Sequence, residues 1–138
     1  MPDRDLATAT RSGPGRLLIA VYATFALAAT ARSAVQIGTQ FDKAPLAYLL
    51  SAFAALVYIV ATVCLARASR RARRIAFISC SVELVGVLAV GTASAIDSSA
   101  FPDATVWSLY GAGYGFIPLL LPIWGLWWIR KTAERPAP

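Results

Sequence analysis

Apolar residues gather into four stretches separated by short polar segments. The first runs from Leu17 to Ile37 and is interrupted only by Arg32 and a few small polar residues. The second, Leu46 to Ala66, opens behind Pro45, at a first-turn position where a missing N–H costs nothing. The third, Ile75 to Ile96, encloses Glu83, and the fourth, about Ser108 to Ile129, is broken by Gly111, Gly113, Gly115, Pro118, Pro122 and Gly125. A helix crossing a hydrocarbon core about 30 Å thick needs about 20 such residues. The pattern therefore predicts spans at about 17–37, 46–66, 75–96 and 108–129, within one all-α unit over 17–131. Even number and short connections predict a four-helix antiparallel transmembrane bundle. The flanks, 1–16 and 132–138, are polar and without periodicity, and are expected to be disordered cytoplasmic tails. No internal repeat relates spans one and two to spans three and four, so no inverted-repeat transporter follows from self-similarity.

Charge adds an orientation. Arg4, Arg11 and Arg16 precede span one, Arg67, Arg70, Arg71, Arg73 and Arg74 separate spans two and three, and Arg130, Lys131 and Arg135 follow span four. Only Arg32 and Lys43 lie towards the other side. The positive-inside rule then places both termini in the cytoplasm of a multi-pass plasma-membrane protein. Asp42, Asp97 and Asp103 fall in the outer loops; Trp127 and Trp128 fit an inner aromatic belt, Trp107 and Tyr110 an outer one. Ala29 and Ala31 after a basic, then apolar, opening resemble a signal-peptide cleavage site. The apolar run continues to Ile37, which predicts an uncleaved span.

Composition narrows the chemistry. Hydrophobic residues make up 58% of the 138-residue chain and charged residues 14%, against roughly 25% charged in a soluble domain. The absence of histidine excludes Ser-His-Asp catalysis, histidine-ligated haem and histidine-based zinc sites. Two cysteines make neither a disulfide framework nor a Cys₄ metal site. No cofactor or metal is expected. The net charge of +6 is spread in clusters between apolar runs, which suits lipid head groups rather than nucleic acid. The cations are 11 Arg and two Lys beside 27 Ala, a bias expected of a GC-rich bacterial genome.

Glu83 is the sharpest candidate. It lies about 12 Å into its span, at a depth where an ionisable side chain implies a partner and a function. Arg32 is the expected partner, offset by about 10 Å along the bundle axis, so contact either is direct or runs through hydroxyls or water. Tyr58 comes out level with Glu83, on a stripe of Tyr48, Ser51, Ala55, Tyr58 and Thr62. Tyr22, Phe25, Ala29, Arg32 and Gln36 form a similar stripe on span one, and Ser79, Glu83, Gly86 and Val90 one on span three. The expected intramembrane network is therefore Arg32, Glu83, Tyr58, Tyr22 and Gln36. It serves either to fix helix register or to handle a proton or substrate at Glu83. In span four, Pro118 and Pro122 cannot donate to the carbonyls of Tyr114 and Pro118, which leaves two helix-break acceptors. Gly111–Gly115 reads as a close-packed helix entry, not as a phosphate loop or a channel filter. Cys64 and Cys80 read as small core residues.

The segments Ser81–Leu88, Phe101–Ser108 and Gly113–Leu119 resemble small four-span integral membrane proteins of actinobacteria. That resemblance implies the four-span fold and carries no activity with it. The stretch Val82-Glu83-Leu84-Val85-Gly86 is similar to DoxX-type membrane proteins, although the surrounding pattern departs from theirs. Small multidrug-resistance transporters have their key Glu in the first helix, whereas Glu83 stands in the third. The expected role is a non-enzymatic accessory or interaction subunit, alone as a homo-oligomer or within a larger membrane complex. The alternative is a small proton-coupled carrier built on Glu83.

Overall fold

The computed structural model describes residues 13–67, 69–97, 99, 105 and 107–134, and these are helical almost throughout, with no strand among them. Helix α1 spans Gly13–Gln40 and runs into a 3-10 turn, Phe41–Lys43; α2 spans Pro45–Arg67 and α3 Arg70–Ile96. A 3-10 segment, Ser108–Tyr114, then leads into α4, Ile117–Glu134. At 1.5 Å per residue, the 28, 23 and 27 residues of α1 to α3 extend about 42, 34 and 40 Å. Each is long and apolar enough to cross a membrane, and a fourth crossing arises if the 3-10 segment and α4 form one broken span.

Local sequence explains where the helices begin. Ala44 O accepts from Tyr48 N at 3.0 Å, so α2 winds from its Pro45 start without an orphaned first carbonyl. Ser69 caps α3: its backbone is extended and its Oγ accepts from Ala72 N at 3.0 Å. The arginines that follow oppose the helix dipole, since the first turn of α3 holds no acid. Helix α1 takes in Gly13–Gly15 and α4 runs on to Glu134, both beyond the expected spans. Pro14 suits a helix start, where its missing N–H would have no partner anyway. The remaining tail residues, with Arg4, Arg11 and Arg135, and the loop residue Asp103, lie outside the described residues.

The fourth apolar run departs most from expectation. A single helix over 108–129, kinked at its prolines, is replaced by two pieces that meet at 99°. Leu109, Tyr110 and Gly111 are left-handed, with φ of 50°, 61° and 82°, and so are Gly115 and Phe116 at 65° and 60°. Side chains other than glycine rarely adopt that region, and the surroundings here impose it. Ser94 Oγ takes Leu109 N at 2.8 Å, Thr105 N donates to Ser108 Oγ at 2.8 Å, and Phe116 N returns to Gly111 O at 3.0 Å. Gly111 lies under the Pro118 ring, where a Cβ would come within 2.8 Å of three ring carbons.

Helix α1 packs on α2, α2 on α3, and α3 on both α4 and the 3-10 segment. The core they enclose is built on Leu18, Tyr22, Tyr58, Leu65, Val87, Trp107 and Leu121. Fully buried among them is Glu83.

Candidate functional site

Each helix contributes one element to the surroundings of Glu83. Tyr22, on the buried face of α1, donates its hydroxyl to Glu83 Oε1 at 2.9 Å. Cys80 precedes Glu83 by one turn of α3, and its Sγ stands 3.3 Å from the same Tyr22 oxygen. Tyr58 of α2 lies against Tyr22, with ring centroids 6.2 Å apart. Helix α4 closes the cluster with Gly125, where a Cβ would meet Cys80 Sγ at 2.8 Å and Tyr22 Oη at 3.1 Å. Glu83 Oε2 has no hydrogen-bond partner among the described residues. A carboxylate offers about four acceptor sites, so this one is far from saturated.

The hydrogen bond found at Arg32 goes to Tyr114, not to Glu83. Its Nη1 donates to the Tyr114 hydroxyl at 2.5 Å, on the exposed side of α1. Helical side chains lean towards the N-terminus, so Arg32 and Glu83 lean the same way and the axial offset between them is not closed. A row of rings joins the two instead. Tyr114 packs on Phe25 and Phe25 on Tyr58, each at 5.8 Å between centroids, and Tyr58 on Tyr22. Gln36 is buried near the end of α1, away from both pairs in the chain, and its Oε1 has no partner among the described residues. Ser33 Oγ, one turn earlier, is likewise buried without one. Ser33 lines a cavity of about 20 Å³ with Phe25, Arg32, Ser51 and Tyr114, which is room for one water.

The helix-break carbonyls change character. Tyr114 belongs to the 3-10 segment, outside α4, and Pro118 occupies the first turn of α4, where no intrahelical acceptor is needed. Phe116 O takes the first α4 donors, Leu119 N and Leu120 N, both at 3.1 Å. Only Pro122 sits inside the helix and withholds its bond from the Pro118 carbonyl.

Trp107 and Trp128 also differ from expectation. Rather than standing in aromatic belts, both are buried. Trp107 lays its ring on Gly86, one turn beyond Glu83, and donates Nε1 to Tyr58 Oη at 3.1 Å. Gly86 is required there, because a Cβ would overlap the indole. Tyr110 occupies the next glycine of α3, Gly91, and bonds Thr92 Oγ1 at 2.8 Å. Trp127 remains exposed, with Lys131 Nζ 4.6 Å above its ring. The spacing of Gly86 and Gly91 on α3 was the available signal for these two aromatic seats. Their occupants come from a segment without periodicity, which hid them.

Among the described residues no three of Cys, Asp or Glu converge as a metal-ligand set. What the cluster offers chemically is a sealed carboxyl, held by one tyrosine and lined by a thiol and a second tyrosine. Comparison of the chain with protein-family models, curated proteins and solved structures finds no match.

Proposed function

We propose that the chain is a four-pass antiparallel bundle of the bacterial plasma membrane, both termini cytoplasmic, that works as a non-enzymatic accessory or interaction subunit. The four-pass part takes the 3-10 segment and α4 as one broken span. An even number of crossings is what puts the basic residues before α1, between α2 and α3 and after α4 on one side.

The observation that carries the subunit role is the outward face of α1. Ala20, Thr24, Leu27, Ala31, Ala34, Val35 and Gly38 are exposed and recur at helical spacing opposite the buried Leu18, Tyr22 and Ser33. Leu27 and Val35 are the bulky members of that face, whereas the outward faces of the other helices carry more bulk: Leu46, Leu49, Phe53 and Leu56 on α2, Phe77, Ile78, Val85 and Leu88 on α3. Large side chains suit lipid, whereas small ones let a second helix approach closely enough for dispersion contacts. Helix α1 is also the least covered of the three long helices. The occupant proposed for this face is a transmembrane helix of a partner subunit.

The test uses a photo-crosslinking residue at Ala31 or at Leu49 in native membranes. A discrete protein adduct at Ala31, lost when Gly38→Leu is added, and lipid adducts alone at Leu49 are expected. Lipid adducts alone at both positions overturn the subunit reading. Reporter fusions at Pro138 active only on the outer side overturn the orientation.

A further inference from the structure

Among the described residues, the polar groups beside Glu83 are Tyr22 from α1, Tyr58 from α2 and Cys80 from its own helix, and α4 backs Cys80 and Tyr22 with the backbone at Gly125. None of these carries a fixed positive charge. Glu83 is fully buried, and its Oε2 lacks a partner among the described residues. A lone carboxylate in such surroundings has one hydroxyl to replace its whole hydration shell, whereas a neutral acid loses far less on burial. Any cation would need space for itself and further oxygen ligands, and α4 closes on the cluster at Gly125 too tightly to leave it. A proton is the ligand that needs no added volume.

Trp107 packs one turn further along α3, between Glu83 and the 3-10 segment. Trp107 rests on Gly86, its indole Nε1 bonds Tyr58 Oη, and its ring edge meets Phe53 with centroids 6.2 Å apart. It is held at the head of a strained segment: the three left-handed residues Leu109–Gly111 follow after Ser108. Strain of this kind persists where the surroundings over-determine it, and it clusters at functional sites. We propose that Glu83 is a reversible proton-binding site and that Trp107 is the plug governing access to it from the Ser108–Tyr114 end of the bundle. Binding is a simple acid–base step: a proton from water adds to the Glu83 carboxylate and returns to water, with no electron transfer. The proposal stands on interior geometry and needs no partner on α1.

The chain contains two glutamates, Glu83 and Glu134, which gives a test that leaves the site untouched. Full-length Glu134→Gln protein, carrying glutamate ¹³C-labelled at the side-chain carboxyl, is reconstituted in phosphatidylcholine vesicles and titrated by infrared spectroscopy. A labelled carboxylic-acid C=O band that grows at the expense of the carboxylate band as the pH is lowered is expected. In Trp107→Phe, hydrogen–deuterium exchange of that band is expected to be at least about tenfold faster. Where Trp107→Phe does not fold, Phe53→Ala, which removes the ring packed on the indole and none of the groups beside Glu83, takes its place. One labelled form alone across the whole range overturns the proton site. Unchanged exchange in the folded variant overturns the plug.

Discussion

Tyr22 is the one described donor to a carboxyl that is otherwise sealed in apolar surroundings. Removing one partner of such a pair costs the desolvation of the other, so Tyr22→Phe is expected to destabilise the bundle by about 1–3 kcal/mol. Thermal unfolding in detergent micelles measures it. In double-mutant cycles Tyr22→Phe and Glu83→Gln should couple by about 0.5–3 kcal/mol, whereas Arg32→Ala and Glu83→Gln should add within about 0.5 kcal/mol. The contrast follows from the hydrogen bonds: Arg32 serves Tyr114 and Glu83 is served by Tyr22. Gly125→Ala drives a methyl into Cys80 Sγ and Tyr22 Oη, an overpacking expected to cost about 1–3 kcal/mol and to be relieved in part by Cys80→Ala. Glu83 and Tyr22 were legible in the chain because depth and helical stripe are one-dimensional quantities. The partner of Arg32 was left open between direct contact and a bridge, because spacing along the chain gives an axial offset but not which hydroxyl a long side chain reaches.

At the scale of elements, the first three apolar runs announce their helices through length alone. The fourth shows where such reading stops. Its glycines and prolines signal a break, but composition does not say whether the chain kinks within one helix or turns through 99° before a shorter one. Backbone hydrogen bonds decide: Ser94 Oγ holds Leu109 N, and Gly111 O takes Phe116 N, so the chain closes a tight left-handed turn before α4 starts. Two glycines in this segment then separate conformation from composition. Gly111 has φ of 82° and the Pro118 ring within 2.8 Å of a built Cβ, so Gly111→Ala is expected to cost about 1–3 kcal/mol. Gly113 has open space around it, and Gly113→Ala should stay within about 0.5 kcal/mol of the parent. Denaturant titration of both variants in the same detergent compares them directly. Equal losses would show that the left-handed turn is not a fixed feature of the fold.

For the whole molecule, the proposed orientation and the local stability of α3 are set by the same arginines with opposite signs. Arg70, Arg71 and Arg74 are exposed at the start of α3, where the positive end of the helix dipole repels them. Replacing all three by Gln therefore relieves about 0.3–1 kcal/mol of repulsion per charge at low ionic strength. Ser69 and its bond to Ala72 N remain in place to start the helix. The same replacement removes attraction to anionic lipid on the inner surface, about 1 kcal/mol for each arginine near the head groups. It also thins the connection between α2 and α3 to Arg67 and Arg73, two cations facing Arg32 and Lys43 on the opposite side, and leaves the other six inner cations to the segments flanking α1 and α4. The triple variant is accordingly expected to unfold at a temperature no lower than the parent in neutral detergent, while a reporter at Pro138 registers a minor outward-facing fraction in cells. A melting temperature that falls with orientation unchanged would reverse both signs. It would mean that these arginines hold the fold through contacts of their own, and that orientation is set by the segments flanking α1 and α4.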